Sequence, residues 1–153
     1  MLTLRTLLLG IHIAAVAAWL GADILVHVLS PRLDGDGPEV ATAWARAQVL
    51  LHDRYYAIVA VVLLGSGIWL VRCEHLAWRS WFIWVGVGAI VLGAALGGGG
   101  LGSLWKRRLG ALESGDRAAA DALRPRIRLL SVVITLLPIV TIWAMVGHWH
   151  IAY

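Results

Sequence analysis

Four long apolar runs, separated by shorter polar stretches, dominate the pattern of this chain. Each run reaches the length of about 20 apolar residues that a helix needs to cross the hydrocarbon core of a bilayer. We place the four spans at about residues 4–29, 50–72, 80–104 and 129–151. The pattern therefore predicts an all-α polytopic membrane protein, a four-transmembrane-helix bundle that forms a single domain over residues 1–153.

The connections between the spans carry their own signals. In the first connection, Asp36 and Pro38 are typical start signals for a helix that runs on into the second span. The second connection, residues 73–79, is short enough to predict an antiparallel hairpin. The third connection is polar and rich in alanine, and it predicts a short helix before Pro125.

Charge is scarce and unevenly placed. Only 14% of the 153 residues are charged and 60% are hydrophobic, whereas an average soluble domain has about 25% charged residues. The formal charge of +4 lies in the connections, so it bears on membrane orientation and does not indicate a nucleic acid partner. The partner we expect is the lipid bilayer.

The basic residues predict the orientation. Ten of the thirteen lie in the first and third connections or at the start of the second span. By the positive-inside rule these two connections face the cytoplasm, which places the N- and C-termini outside.

A polar face follows the first span. His12, Trp19 and Asp23 fall within roughly 40° of one another around a helix, with His27 roughly 40° further on. Ionisable groups inside a membrane are costly and usually face a bundle interior, a cavity or a partner group. These four residues are therefore the first candidates for a functional site.

The third span contains no ionisable residue, but it is rich in glycine, including the run Gly97–Gly100. Gly93 and Gly97 form a small-xxx-small pair that lets helices approach closely. Two interpretations stay open: tight helix packing, and room for a flat ligand.

The predicted depths sort four histidines into two pairs. His27 and His52 lie toward the cytoplasmic side, while His12 and His148 lie toward the outer side. His12 and His27 are separated by roughly 22 Å along a helix, which suits one or two haem b groups whose iron is bound by these histidines in the bundle core. Structural roles for His12 and His52 are the alternative.

Other polar residues surround the predicted inner pair. Asp23 lies one turn before His27 and could accept a hydrogen bond from its imidazole, take part in a proton relay, or pair with Arg54 or a buried water. Arg54, Tyr55 and Tyr56, near His52, are candidates for binding a quinone or haem propionates.

Two further functions stay open. The first is a non-catalytic membrane subunit of a larger respiratory or metal-handling complex, or a homo-oligomer, because glycines and nine tryptophans suit helix packing. The second is a copper-handling membrane protein. A copper or zinc site needs three or four donors close together, and the chain has no cluster rich in cysteine or methionine.

Three segments resemble a known family. The stretch IHIAAVAAWLG, with His12 seven residues before Trp19, and the following SPRL are similar to the start of bacterial four-helix protoporphyrinogen IX oxidases. RYYAIVAVVLLGSGIWLV and LRPRIRLLSVVITLLPIVTIWAMV resemble their second and last helices, and the layout recurs in copper-resistance-D-like membrane proteins.

The resemblance implies a b-type haem bound by His12 and a multi-pass protein of the bacterial inner membrane. The function we expect is electron transport within the membrane. The protein would act as a quinone-linked carrier or as a haem-dependent oxidoreductase of the protoporphyrinogen oxidase kind.

Overall fold

The computed structural model describes residues 3–147, and within them four long helices form a bundle. Helix 1 is α1, Leu4–Leu33. Helix 2, Pro38–Cys73, joins α2 (Pro38–Leu50) to α3 (Tyr56–Cys73). Helix 3, Trp81–Glu113, joins α4 (Trp81–Ala94) to α5 (Gly102–Glu113). Helix 4, Arg117–Gly147, joins α6 (Arg117–Ala122) to α7 (Arg124–Gly147). The predicted all-α fold with four long apolar helices is confirmed.

Helices 2 and 3 each contain a π-helical segment. The first is Leu51–Tyr55, between α2 and α3, and the second is Ala95–Leu101, between α4 and α5. The two segments contact each other across the bundle. Because π-helical turns inside α-helices occur frequently at functional sites, the level at which these two segments meet is a candidate position for a functional site.

The ends of the helices follow their capping residues. Thr3 caps helix 1, its Oγ1 accepting a hydrogen bond from the backbone N–H of Thr6 at 3.3 Å. Helix 2 begins with Pro38 in its first turn, where a missing N–H costs nothing, as its start signals predicted. Helix 1 extends through Pro31 to Leu33, four residues beyond the predicted end at 29. Pro31 removes one backbone N–H donor from the last turns, and the helix ends two residues after it.

Neighbours in sequence are neighbours in space. Helix 1 packs mainly on α3, α4 packs on α7, and α7 also contacts helix 1, which closes the ring. The Glu74–Ser80 turn joins helices 2 and 3 at one end of the bundle, called here the turn end. The opposite end carries the two longer connections and is called the loop end.

At the loop end, α2 and α5 extend past the predicted spans and pack against each other. Trp105 and Ala45 are buried there. The guanidinium of Arg108, with 1% of its side chain exposed, lies 2.8 Å from the carboxylate of Asp34 and stacks on the Trp105 ring, 5.2 Å from its centroid. A buried ion pair of this kind holds the connection after helix 1 against helix 3.

The outer surface of the bundle is apolar. Large aliphatic side chains are exposed along all four helices, and Trp78, Trp81 and Trp84 are exposed near the turn end, as in an interfacial aromatic belt. All four helices are long and apolar enough to cross a membrane. The polar groups inside the bundle therefore stand out against their surroundings.

Candidate cofactor site

Two cavities lie one above the other inside the bundle. The upper cavity, nearer the turn end, has a volume of about 240 Å³ and includes His12 in its wall. The lower cavity has a volume of about 170 Å³ and includes Asp23, His27 and His52. Trp19 belongs to both walls, so its indole lies between the two cavities.

The imidazole of His12 is fixed by a chain of hydrogen bonds. Its Nδ1 lies 2.9 Å from the Ser66 hydroxyl, which donates its own hydrogen to the carbonyl of Val62 at 2.6 Å. Because that hydrogen is already used, Nδ1–H of His12 is the donor to Ser66. Nε2 then carries the free lone pair, and metal-binding histidines commonly have their other ring N–H donated to an acceptor in this way.

A glycine makes room for this ring. A Cβ at Gly67 would lie 3.3 Å from Cε1 of His12, tighter than ordinary van der Waals contact. Ser66 and Gly67 thus act together, one orienting the imidazole and the other letting it lie close to helix 2.

His52 shows a similar arrangement in the lower cavity. It lies in the first π-helical segment, and its Nδ1 donates to the carbonyl of Gln48 at 2.8 Å. Its Nε2 is again the free acceptor. The ring packs against Tyr56, with centroids 5.2 Å apart.

His27 is held differently. Its Nε2 lies 3.0 Å from the hydroxyl of Thr135, which donates to the carbonyl of Ser131 at 2.9 Å. Nε2–H of His27 is therefore a donor, and Nδ1 is the nitrogen with a free lone pair. The structure brings His27 and His52 to the wall of one cavity, but only His52 has its distal nitrogen available.

Asp23 is paired with a tyrosine. The hydroxyl of Tyr56 donates to Oδ1 of Asp23 at 2.6 Å, whereas the sequence suggested His27 as the donor. The difference arises because the His27 ring turns toward Thr135 on helix 4. Asp23 is 7% exposed. Its Oδ2 makes no hydrogen bond of normal geometry within residues 3–147, but the side chains of Trp19 and Thr135 also lie close enough to interact with this carboxylate.

The remaining candidates lie apart from these groups. Arg54 is exposed, and Tyr55 donates its hydroxyl to the carbonyl of Ala18 at 2.9 Å. Neither residue is in the wall of the upper or lower cavity. His148 lies outside the described residues.

The glycines of helix 3 form one side of the lower cavity. Gly93, Gly97 and Gly98 are in its wall, and a Cβ at Gly97 or Gly98 would meet no atom within 4 Å. At Gly93, by contrast, a Cβ would lie 3.0 Å from the Trp19 ring. The glycines therefore serve both interpretations: Gly93 permits close packing, while Gly97 and Gly98 border open space.

Sequence reasoning missed Ser66 and Thr135, and it named Tyr56 without its partner Asp23. Ser66, Tyr56 and Thr135 meet their histidine or carboxylate partners from other helices, 54, 33 and 108 residues away along the chain. The available signal was a polar side chain in an otherwise apolar run. In the described part of the chain, no three His, Cys, Asp or Glu side chains come together as a metal-binding group.

No family model, curated protein or solved structure matches this chain. The likeness to four-helix protoporphyrinogen IX oxidases and copper-resistance-D-like proteins stays a prediction from the three quoted segments.

Proposed function

We propose that this protein is a membrane-bound b-type haem protein that carries electrons within the bilayer, with His12 as an axial ligand in the upper cavity. The observation that carries the proposal is the hydrogen-bond chain from His12 through Ser66 to Val62. It fixes the imidazole with Nε2 free, beside an apolar cavity. A histidine held in this way is a ready ligand for iron.

The size of the upper cavity defines how such a group would fit. Pockets that enclose a drug-sized ligand measure about 300–1,000 Å³, and the upper cavity measures about 240 Å³. Nε2 of His12 would bind the iron, and a cavity of this volume would enclose only part of the macrocycle. A haem held there would supply one-electron redox chemistry.

The lower cavity suits a different role. His27 uses its Nε2 on Thr135, which argues against a second haem bound by His27 and His52. The Asp23 carboxylate and Nε2 of His52 are hydrogen-bond acceptors in its wall. A quinol head group carries hydroxyl donors, which complement acceptors of this kind. We therefore assign one haem to the upper cavity and the electron donor, a quinol, to the lower one.

The cellular setting belongs to the same proposal. Four helices can cross a membrane, and the resemblance points to the bacterial inner membrane. The excess of basic residues at the loop end supports a cytoplasmic loop end with both termini outside.

An absorption spectrum tests the proposal directly. Protein purified from haem-replete cells is expected to show a Soret band and the reduced α-band of b haem. In His12→Asn, the shorter amide can keep the hydrogen bond to Ser66 but offers no Nε2, so most of the haem is expected to be lost. Haem per protein is measured by pyridine haemochrome.

His75→Asn is the matched control. His75 is exposed in the turn with φ of 51°, a conformation that asparagine tolerates, and this variant is expected to keep its haem. Wild-type protein without haem absorption would overturn the proposal and favour a non-catalytic subunit. Equal haem content in both variants would remove His12 as the ligand.

A further inference from the structure

Most hydrogen-bond donors in the wall of the lower cavity are already used within the protein. The hydroxyl of Tyr56 donates to Asp23 at 2.6 Å. The indole N–H of Trp19 makes no hydrogen bond of normal geometry, but it lies close enough to interact with the same carboxylate. Nε2–H of His27 donates to Thr135, whose hydroxyl donates in turn to a backbone carbonyl one turn earlier.

The acceptors of the same wall are left open. Nε2 of His52 and Nδ1 of His27 each carry a lone pair, because the other ring nitrogen is the donor in a hydrogen bond. The Asp23 carboxylate accepts from Tyr56, and a carboxylate has about four lone-pair sites. The hydroxyl of Ser131 can donate or accept. Within residues 3–147, the wall therefore presents more open acceptors than open donors.

The size of the lower cavity fits a single ring. Its volume is about 170 Å³, and an apolar cavity of about 150 Å³ is known to bind benzene. Gly97 and Gly98 form one side, where a Cβ would meet no atom within 4 Å. The open space beside helix 3 can therefore receive the face of a six-membered ring.

This balance of donors and acceptors distinguishes the two redox forms of a quinone. A quinol and its quinone share one ring and differ by two hydrogens. The hydroxyls of a quinol can donate to Asp23 or to His52, whereas the oxygens of a quinone can only accept and would face lone pairs. An acceptor left without a donor on burial costs free energy.

We propose that the lower cavity selects the reduced form of its ligand, because Tyr56 and Thr135 keep its donors and acceptors out of balance. Tyr56 uses its own hydroxyl on Asp23, and Thr135 takes up the N–H of His27. The inference rests on the proposed function only in placing a quinol in the lower cavity, and it needs no haem in the upper one. It makes this a site that retains quinol and releases quinone.

The test compares toluquinol with toluquinone, which match in shape and differ only in the two hydroxyl hydrogens. Calorimetry under argon on purified protein in micelles, with protein-free micelles as the blank, gives both dissociation constants. The parent protein carries Cys73→Ser, because quinones add to exposed thiols. Toluquinol is expected to bind about tenfold more tightly or better, as one hydrogen bond to a charged group provides.

Two variants change the balance in the wall. In Asp23→Asn an N–H donor replaces one acceptor, and in Thr135→Val the N–H of His27 loses its acceptor and is open to a ligand. Each is expected to lose most of the preference for toluquinol. Thr141→Val is the matched control, because Thr141 also donates to a backbone carbonyl of helix 4, at 2.8 Å, but lines the upper cavity. It should keep the preference.

Gly98→Leu locates the binding, because its side chain would fill the lower cavity and both ligands should be lost. Equal affinities for the two ligands in the parent protein would overturn the inference and leave a quinol site standing. A preference that survives both Asp23→Asn and Thr135→Val would do the same. Absence of binding by either ligand, or binding that persists in Gly98→Leu, would overturn the quinol assignment and the inference with it.

Discussion

Single polar side chains decide much of the character of this bundle. Each of the three histidines in the cavity walls has one nitrogen tied to a neighbouring oxygen, so its tautomer is set by the fold. Other buried polar groups have no such partner. Gln48 is completely buried, and neither atom of its amide makes a hydrogen bond within the described residues. Burying an amide in this way costs free energy.

Gln48→Leu is therefore expected to stabilise the protein. The leucine fills most of the same volume and removes two unpaired polar atoms, so the free energy of unfolding should rise by about 1 kcal/mol. Equilibrium unfolding in mixed detergent micelles measures the change. Gln48→Ala is the control and should lose about 2 kcal/mol because it leaves a cavity. A loss of stability in Gln48→Leu would show that an ordered water bonds the amide.

The sequence identified the polar residues that lie inside the membrane-spanning runs, but it could not identify the side chains that they contact. His12 and Asp23 were recognisable because each interrupts an apolar run long enough to cross a bilayer. Their partners Ser66 and Tyr56 lie on helix 2, and no local rule specifies which polar group of another helix will face a given side chain.

At the scale of elements, helix 3 combines two uses of glycine. Gly93 faces Trp19 closely, whereas Gly97 borders the lower cavity. The apolar pattern predicted the existence of the four helices well, because each pattern is long. It did not predict the π-helical segments or the extension of α1 past Pro31, since both depend on packing against other helices and not on local preference.

Two alanine substitutions separate these uses. In Gly93→Ala the new methyl group meets the Trp19 ring at 3.0 Å, so we expect a loss of about 1–3 kcal/mol from overpacking and a shifted Trp19 environment. In Gly97→Ala the new methyl group enters open space. The free energy of unfolding should stay unchanged or rise by up to about 1 kcal/mol. Unfolding experiments and tryptophan fluorescence check both. Equal losses of stability in the two variants would mean that both glycines serve helix packing alone.

At the scale of the whole molecule, the two ends of the bundle differ in charge and construction. The turn end has one short connection, and an ion pair between Arg5 and Glu74 joins helix 1 to that turn. The loop end contains most of the basic residues and additional helix, with Arg108 buried against Asp34. This asymmetry lets the orientation be tested without knowledge of the function.

Cysteine labelling tests the orientation on a Cys73→Ser background, because Cys73 is an exposed free thiol. Ala77, in the turn, and Ala118, at the loop end, are both exposed. With an impermeant maleimide on intact cells, Ala77→Cys is expected to react and Ala118→Cys to react only after permeabilisation. The reverse pattern would invert the topology and put the lower cavity on the outer side.

The two π-helical segments have a consequence for how this chain tolerates changes in length. An α-helix advances about 100° per residue, so removing one residue from Leu51–Tyr55 would let the segment close into ordinary α-helix and turn α2 by about that angle relative to α3. The residues of α2 that pack on α5 would then turn away from it. The lower cavity would then be lost even if every other residue that lines it stayed in the sequence. The count of residues in helices 2 and 3 is therefore as much a part of this site as the residues themselves.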